Sequence, residues 1–560
     1  GAYAGALTVV LAHRALVLVA GAVLLAVSAL LTRVVGLDFF PNVDTGQMRL
    51  HYRAPPGTRI EVTEQRVMAV EAAVRELAQG DVEGMVDNIG IPISYNLGFV
   101  STSNAGGEDA EIRVSLRPGH RPTAALQDRL REALPARFPG GQFWFEPADV
   151  VTQVLSFGLP AQLEVEVAGR DPAAALQVAQ AAIAEVRRVP GAADAHVAQV
   201  FDRPAIQVDV DRQQAQALGL TERDVASSLL TSLASSTLSA PSFWVNPATG
   251  INYIVAVQTP ISRIRDVNDL ATTPLAAPPA PGATGASPDA PPSTAPYLGS
   301  ISVLRPRTTT ALIAHDTVQP IVEVQFAAAD RDLGAVASDV QRALGRLKLP
   351  AGTTVKMRGQ SEAMFQAFGR LGLGLFLAVA LVYLLLVVLF QSWSDPLIIL
   401  VAVPGALCGI LWFLALTGTT LNVESFMGAI MAVGIATSNS ILLVSFANDF
   451  RAEAARDPGP LAAMIASGRT RLRPVIMTAL AMILGMLPMA LALGEGGEQN
   501  APLGRAVIGG LLAATFTTLF FVPVAYTFIR RKPPHRHVLD VQFEREMGEP
   551  GHGAPEPARG

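Results

Sequence analysis

The sequence predicts a membrane protein with a six-helix transmembrane bundle and a large α+β region of ferredoxin-like β-α-β-β-α-β subdomains. Six apolar runs approach the length of a membrane span, one at residues 15–35 and five clustered within residues 366–530. The segment between them begins with "QMRLHYRA" (Gln47–Ala54), in which apolar and polar residues alternate strictly. This alternation is typical of a half-buried strand with its polar residues in solvent.

Composition supports a membrane protein and argues against several other classes. The chain has 560 residues, of which 50% are hydrophobic and 16% charged, and its net charge is −5. This small charge does not suggest nucleic-acid binding. Cys408 is the single cysteine, so no internal disulfide can form. Because the first residue is Gly, we interpret the chain as a fragment or the product of a split gene.

Arginines and lysines near the apolar runs predict the membrane topology. They concentrate in residues 448–474, which carry five arginines, and in the exit after residue 529. The loops 417–425 and 494–505 hold only Arg505. We therefore expect both termini in the cytoplasm and residues 40–366 outside it. A signal peptide in place of the first span is disfavoured, because no clear cleavage site follows it.

The extracytoplasmic segment contains two series of strands and helices. In the first, a helix near 61–77, strands near 82–89 and 111–117, a helix near 123–134 and the strand "QFWFE" follow the opening strand. The second starts at "LEVEVAG", continues through a helix near 173–189 to "AIQVDVD", and resumes at "PIVEVQFA". The interruption at 211–316 predicts an inserted subdomain. Its stretch 276–296 is too rich in Pro, Ala and small polar residues to form a core, so we expect a flexible loop there, and we expect the tail 531–560 to be disordered.

Several motifs resemble the resistance–nodulation–division (RND) efflux transporters. They are "GLDFFPNVDTGQMRL", "PPGTRIEVTE", "RPAIQVDVDRQQAQALGLTERDV", "FQSWSDPL", "RTRLRPVIMTALAMILGMLP" and "FFVPVAY". The similarity covers nearly the whole chain and is strongest to the hydrophobe/amphiphile multidrug (acriflavine resistance) branch. The resemblance implies a bacterial inner-membrane protein driven by the proton motive force, with no cofactor, that exports hydrophobic or amphiphilic drugs, dyes and detergents.

The resemblance also implies a domain organisation. It consists of a cytoplasmic lead (1–14), a first span (15–35), porter subdomains at 38–158 and at 159–210 with 317–362, a docking subdomain (211–316), spans two to six (366–530) and a cytoplasmic tail (531–560). Such pumps work as homotrimers with a periplasmic adaptor (membrane fusion) protein and an outer-membrane channel.

The resemblance further indicates which half of a pump this is. First halves carry adjacent proton-binding aspartates in their fourth span, whereas spans two to six here have no acidic residue in their interiors. The chain therefore corresponds to a second half, and the missing N-terminal half would carry those aspartates.

A polar quartet, Thr437–Ser440, interrupts the fourth span. The resemblance places Ser438, Asn439, Arg471 and Thr478 in the proton relay. Family members commonly have lysine at position 438, whereas this chain has serine. The alternative is that the quartet joins helices through ordinary polar contacts and that Arg471 is a cytoplasmic anchor. A centrally buried amide such as Asn439 is costly to leave unpaired, which favours the relay for that residue.

The loop "LGFVSTSNAGGEDAE" (Leu97–Glu111) resembles the switch loop beside the drug pocket of this family. Its candidate substrate contacts are Phe99, Asn104, Gly106 and Gly107, with an ordinary surface loop as the alternative. Two other functions stay open: export of heavy metals, for which methionines could supply ligands, and a non-transporting, membrane-anchored interaction module. No catalytic triad, zinc-ligand spacing or acid/base pair stands out, so we expect no enzyme.

Overall fold

The protein was analysed as a computed structural model that describes residues 2–41, 43–91, 103–156, 159–275, 295–453, 458–494 and 496–530. Phe99, most of the Pro/Ala-rich insert and the tail 531–560 lie outside these residues. The chain forms two compact units. Unit 1 contains Gly1–Pro55, Arg59–Ala198 and Ala314–Gly560, and unit 2 contains Pro56–Thr58 and Gln199–Ile313.

The described elements are numbered here in chain order. The helices are α1 (Ala2–Ala12), α2 (Arg14–Val35), α3 (Ile60–Ala78), α4 (Thr123–Arg137), α5 (Val150–Leu155), α6 (Pro172–Val186), α7 (Arg212–Ala217), α8 (Glu222–Ala234), α9 (Val267–Ala271), α10 (Leu298–Ile301), α11 (Leu333–Leu344), α12 (Gln360–Phe390), α13 (Ser394–Leu400), α14 (Ala402–Leu416), α15 (Val423–Glu453), α16 (Gly459–Ala490), α17 (Ala501–Phe516) and α18 (Val522–Ile529). The strands are β1 (Gln47–Arg53), β2 (Val82–Ile89), β3 (Asp109–Leu116), β4 (Gln142–Glu146), β5 (Leu163–Gly169), β6 (Ala192–Val197), β7 (Arg203–Val210), β8 (Ser242–Val245), β9 (Asn252–Val255), β10 (Ser302–Thr309), β11 (Ala314–Asp316), β12 (Gln319–Ala328) and β13 (Thr353–Gly359).

Six helical segments in the described part of the chain are long and apolar enough to cross a membrane, as the sequence predicts. They are Arg14–Val35, Gln360–Phe390, Ser394–Leu416, Val423–Ala452, Gly459–Ala490 and Ala501–Ile529. The fifth begins at Gly459, within residues 448–474 that were predicted as a loop, and Pro474 lies inside α16. Arg469, Arg471 and Arg473 are therefore helical rather than in a loop. A proline removes one helical hydrogen bond, which a long membrane helix tolerates when neighbouring groups compensate.

The first fourteen residues are predicted as a cytoplasmic lead, and the structure shows that most of them are helical. In α1, Leu7 and Leu11 are fully or almost fully buried against Val524 of α18. The Tyr3 hydroxyl donates a 3.0 Å hydrogen bond to the Leu519 carbonyl. The lead is thus packed on the bundle through an apolar helix.

Glycines bring α14 and α17 into close contact within the bundle. A Cβ atom on Gly409 would collide with the carbonyl oxygen of Gly509, and the reverse collision would follow from a side chain on Gly509. Small residues allow such close backbone approach between membrane helices.

The first α+β subdomain has the predicted β-α-β-β-α-β order (β1-α3-β2-β3-α4-β4). Its antiparallel sheet has the strand order β2-β3-β1-β4. Met48, Leu50 and Tyr52 of β1 pack into the core with the two helices. The polar face of β1, however, is not in solvent as predicted: Arg49, His51 and Arg53 are all buried.

The second α+β subdomain has a sheet in the order β11-β12-β5-β13, with β6 also paired to β12. We expected "AIQVDVD" to belong to this sheet. It instead forms most of β7, which pairs with β10 inside unit 2, and β6 takes the expected place. Two short strands of similar composition follow the same helix, and periodicity alone does not distinguish which one joins the sheet.

Unit 2 has a small core of its own in which β7 and β10 pack against short helices. The buried residues are Ala215, Leu220, Val225, Leu270, Leu275, Leu298 and Ile301. A separate hairpin, β8–β9, has every residue exposed.

Candidate functional site

The polar quartet lies in the middle of α15, and three of its four members are buried, two of them with their hydroxyls hydrogen-bonded within the bundle. The buried hydroxyls of Thr437 and Ser440 donate to the carbonyls of Val433 and Ala436 at 2.8 and 2.9 Å. The Ser440 hydroxyl also lies 3.2 Å from that of Thr518. Thr518 belongs to the π-helical turn Thr517–Phe521, so the two hydroxyls join the fourth and sixth spans where the latter widens.

The side chains of the other two members make no hydrogen bond to a described residue, and they differ in exposure. The Ser438 side chain is exposed. Asn439 is 9% exposed, and its amide makes no hydrogen bond to any described residue. This differs from Thr437 and Ser440, whose hydroxyls are satisfied within the bundle.

Arg471 and Thr478 lie on α16, and among the described residues no hydrogen bond connects them to the quartet. The Arg471 guanidinium carbon lies 5.4 Å from the centre of the Phe446 ring, a cation–π arrangement. Its Nε is buried without a hydrogen-bond partner among the described residues. The exposed Thr478 hydroxyl donates to the carbonyls of Pro474 and Val475, both at 3.1 Å. The relay therefore remains a prediction.

A buried carboxylate, Asp395, lies at the start of the third span, in a segment that sequence analysis assigned to a link between spans. Asp395 is 1% exposed. It accepts a 3.1 Å hydrogen bond from Asn448, and its carboxylate lies 3.3 Å from Arg530. The Tyr526 hydroxyl donates to Asn448 at 2.7 Å. This network connects α13, α15 and α18. Its acidic residue, Asp395, lies in the sequence motif "FQSWSDPL".

The predicted switch loop is described from Ser103 onward, so Phe99 is outside the described residues. The Asn104 amide donates to the carbonyls of Asn88 and Gly90 at 2.9 and 2.7 Å. Gly106 accepts a hydrogen bond from the Asp109 backbone in a tight turn, and Gly107 lies against Ile60. These three residues fix the base of the loop. Contact with substrate stays a prediction.

Behind this loop lies a buried ionic cluster that sequence analysis did not identify. From β1, Arg49 pairs with Glu111 and Glu146 at 2.8 and 2.9 Å, and Arg53 pairs with Asp109 at 2.6 Å. Between the arginines, His51 Nε2 lies 3.2 Å from Asp109, and Nδ1 lies 3.5 Å from Glu146. All six side chains are less than a tenth exposed.

Aromatic stacking extends this cluster to the second subdomain. The Trp144 ring lies between two imidazoles, 4.1 Å from His51 and 4.0 Å from His196 of β6. The Arg53 guanidinium lies 5.0 Å from the Trp144 ring centre and donates to the carbonyls of Val197 and Ala198. The sequence contained one signal of this cluster: opposite charges stand directly across β1 and β3, at His51–Glu111 and Arg53–Asp109.

A cavity of about 680 Å³ in unit 1 is strongly acidic. Its carboxylates are Asp38, Asp44, Asp128, Glu146, Asp149, Asp330 and Glu498, and its cations are Arg131 and Arg505. Burial raises the pKa of Asp38, with a partly opposing hydrogen bond from Leu333. For Asp44, burial also raises the pKa, but hydrogen bonds from Thr123 and Gly46 outweigh it and leave the pKa below its usual value. The described residues contain no set of three or more His, Cys, Asp or Glu side chains arranged to hold a metal ion.

Comparison with known proteins identifies the family. The model of the AcrB/AcrD/AcrF family matches residues 1–530. The chain belongs to this family. AcrB/AcrD/AcrF family members are transporters of the RND class and not enzymes.

Several relatives to which the chain is similar are named as cation-efflux or metal-resistance proteins. The chain is 26% identical to "Cation efflux system protein CzcA" of Alcaligenes sp. and, also at 26%, to "Cobalt-zinc-cadmium resistance protein CzcA" of Cupriavidus metallidurans. Each alignment covers 93% of this chain and 48% of the relative. A crystal structure titled "heavy metal efflux pump" matches with a TM-score of 0.78 and 28% identity, over 94% of this chain and 52% of that one. The chain thus spans about half the length of these RND relatives, and their names favour metals over the multidrug branch that we expected.

Proposed function

We propose that the chain forms half of a proton-driven RND exporter whose substrates are divalent transition-metal cations. The acidic cavity is the observation that carries this proposal. Its lining has seven carboxylates and two guanidinium groups among the described residues. A cleft of one charge sign with low-dielectric walls raises the local concentration of the opposite charge.

The same lining disfavours hydrophobic drugs as substrates. Sites for apolar small molecules are lined mainly by hydrophobic and aromatic side chains. Phe145 is the one aromatic residue among the described residues that line this cavity. The names of the metal-resistance relatives agree with this distinction. Because the described residues contain no set of three or more metal-ligating side chains, the proposed role of the cavity is to concentrate and bind cations through the charge of its carboxylates.

Proton coupling is proposed to depend on a second half that carries the proton-binding aspartates. The exposed Ser438 hydroxyl is placed to meet it, and the buried Asn439 amide and Arg471 Nε have no hydrogen-bond partner among the described residues. Placement in the bacterial inner membrane with residues 40–366 in the periplasm, a homotrimer, an adaptor protein and an outer-membrane channel belong to the same proposal, on the strength of family membership.

Calorimetric titration of the full chain in detergent with Zn²⁺ tests the cavity's role. The test variant is Asp128→Asn/Asp330→Asn, which removes two cavity charges; Asp330 has a left-handed backbone (φ 57°), which asparagine tolerates. Each charge about 10 Å from a bound cation contributes on the order of 1 kcal/mol, so the double variant should weaken binding roughly tenfold or more.

The matched control is Glu185→Gln. Glu185 pairs with Arg188 three residues away, just as Asp128 pairs with Arg131. Glu185 differs in that it lies outside the cavity. It should bind Zn²⁺ like the wild type. Absence of Zn²⁺ binding by the wild type, or equal losses in both variants, would contradict the role of the cavity.

A further inference from the structure

The ionic cluster around His51 connects three parts of unit 1 that are separate in sequence. Asp109 is the shared acceptor: one carboxylate oxygen binds His51 and Arg53, and the other accepts the Ala105 backbone N–H at 2.6 Å. The loop Asn104–Gly107 is thereby tied to the same carboxylate that holds His51. Arg53 and Trp144 in turn contact the end of β6 in the second subdomain.

The charges of this cluster balance only when His51 is protonated. The carboxylates paired within the cluster are Asp109, Glu111 and Glu146, and its buried arginines are Arg49 and Arg53. Protonated His51 supplies the third positive charge. Arg113 also pairs with Glu111, but its side chain is 44% exposed and therefore screened by solvent.

The groups facing His51 come from four strands. They are Arg49 and Arg53 on β1, Asp109 on β3, Glu146 on β4 and, across Trp144, His196 on β6. With His51 neutral, the three carboxylates would keep Arg49, Arg53 and the partly exposed Arg113 as partners, but the buried part of the cluster would carry a net negative charge, which is costly in a low-dielectric interior.

We propose that protonated His51 is a positioning residue that pins the Asn104–Gly107 loop and fastens the first α+β subdomain to β6, and that its deprotonation releases both contacts. The pair Arg131–Asp194, joined at 2.8 Å, does not involve His51 and continues to tether the subdomains. The release is therefore local. The inference does not depend on the transported substrate.

The pKa shifts of the cluster agree in direction. Burial alone lowers the pKa of His51, but hydrogen bonds and charge from Asp109 and Glu146 outweigh it and raise the pKa above 6.5. Burial lowers the pKa of His196 to about 3, so this imidazole stays neutral. Because the folded-state pKa of His51 is raised, its stabilising contribution is complete below pH 6.5 and is lost as the pH rises through the folded-state value.

Trp144 provides a direct optical test, because a protonated imidazole quenches indole fluorescence more strongly than a neutral one. The full chain is prepared in detergent with Trp244, Trp393 and Trp412 replaced by phenylalanine. Emission from Trp144 should rise as the pH increases, with a midpoint above 6.5. His51→Gln should abolish the transition, and His196→Gln should retain it.

Hydrogen exchange of the Ala105 amide gives a second readout, compared between proteins at one pH so that intrinsic rates cancel. Below the midpoint the wild type and His196→Gln should exchange slowly and His51→Gln faster; above it the three should be alike. If His51→Gln does not fold, the wild-type titration decides. No fluorescence transition between pH 6.5 and about pH 9, a transition that survives His51→Gln, or an Ala105 amide indifferent to that substitution would overturn the proposal.

Discussion

The hydroxyls of Ser440 and Thr518 lie 3.2 Å apart inside the membrane bundle, where a straight part of α15 meets the π-helical turn of the sixth span. Each hydroxyl lies in an interior that excludes water, so the pair stabilises the packing of these two helices. Polar contacts of this kind between membrane helices contribute about 0.6 kcal/mol on average.

Ser440→Ala should therefore lower the stability of the bundle by roughly 0.5–1 kcal/mol without a specific effect on transport. The measurement is the midpoint of thermal unfolding in detergent, together with transport normalised to protein amount. Ser438→Ala, at an exposed position in the same quartet, serves as the stability control. A loss of transport in Ser440→Ala beyond its loss of protein would contradict the structural role.

In the complete pump, a substitution of Asn439 should reduce transport specifically and have little effect on stability. Its amide has no hydrogen-bond partner among the described residues, and we expect it to bind a carboxylate of the other half. A hydrogen bond to a charged group contributes about 1.5–3 kcal/mol, so Asn439→Ala should reduce proton-coupled transport about tenfold or more at normal membrane abundance. Thr437→Ala is the matched control, since its hydroxyl bonds within its own helix. Normal transport by Asn439→Ala would exclude Asn439 from the relay.

Asp395 should be among the residues on which bundle stability depends most. Removing one partner of a buried ion pair leaves the other charge uncompensated and costs about 3–5 kcal/mol, so Asp395→Ala should strongly destabilise the chain. Glu362→Ala is the control, because Glu362 lies 4.0 Å from Arg358 and both side chains are at least a third exposed; such pairs contribute about 0–1 kcal/mol. Equal small effects of both variants on the thermal midpoint would show that the Asp395 network is not structural.

Glu164 should make the second α+β subdomain less stable as the pH rises. Burial, and then the charge of Glu323, raise its pKa from 4.5 to about 8. Between these values the folded state keeps a proton that the unfolded state has released, so the free energy of unfolding falls with increasing pH. Glu164→Gln keeps an acceptor for Gln325 and should remove this fall, a gain on the order of a few kcal/mol at pH 8.

Unfolding by denaturant at several pH values measures this slope. Glu185→Gln, on α6 of the same subdomain and paired with Arg188, should keep the wild-type slope. A wild-type slope that persists in Glu164→Gln would assign the pH dependence to another group.

The sequence predicts the helices and strands of this fold better than it predicts which residues pack around them. Period-two alternation identifies β1 because it reports the pleat of a strand, but it does not report what covers the polar face. Arg49, His51 and Arg53 were therefore assigned to solvent, whereas carboxylates and Trp144 from two neighbouring strands enclose them. These partners are distant in sequence, and cross-strand charge complementarity becomes visible only once the register is known.

The sequence likewise predicts the residues of the candidate sites only in part. Hydropathy locates the six spans, yet it assigns Asp395 to a connecting link and Arg471 to a loop. The reason is that a hydropathy profile averages over a window of residues and does not show that a helix continues past a proline. The acidic cavity was not foreseen, since its carboxylates come from segments as far apart as Asp38 and Glu498. Family membership was visible in local motifs. The branch of the family was not visible in these motifs, because substrate choice depends on residues that only the fold brings together.

Substrate choice by the complete pump tests the central claim most directly. The complete protein containing this chain, expressed with its adaptor in a metal-sensitive host, should raise tolerance to Zn²⁺, Co²⁺ or Cd²⁺ and leave tolerance to dyes and detergents unchanged. Asp128→Asn/Asp330→Asn should weaken that metal tolerance, and Glu185→Gln should not. Protection against dyes and detergents without protection against any of the three metals would contradict the proposed function.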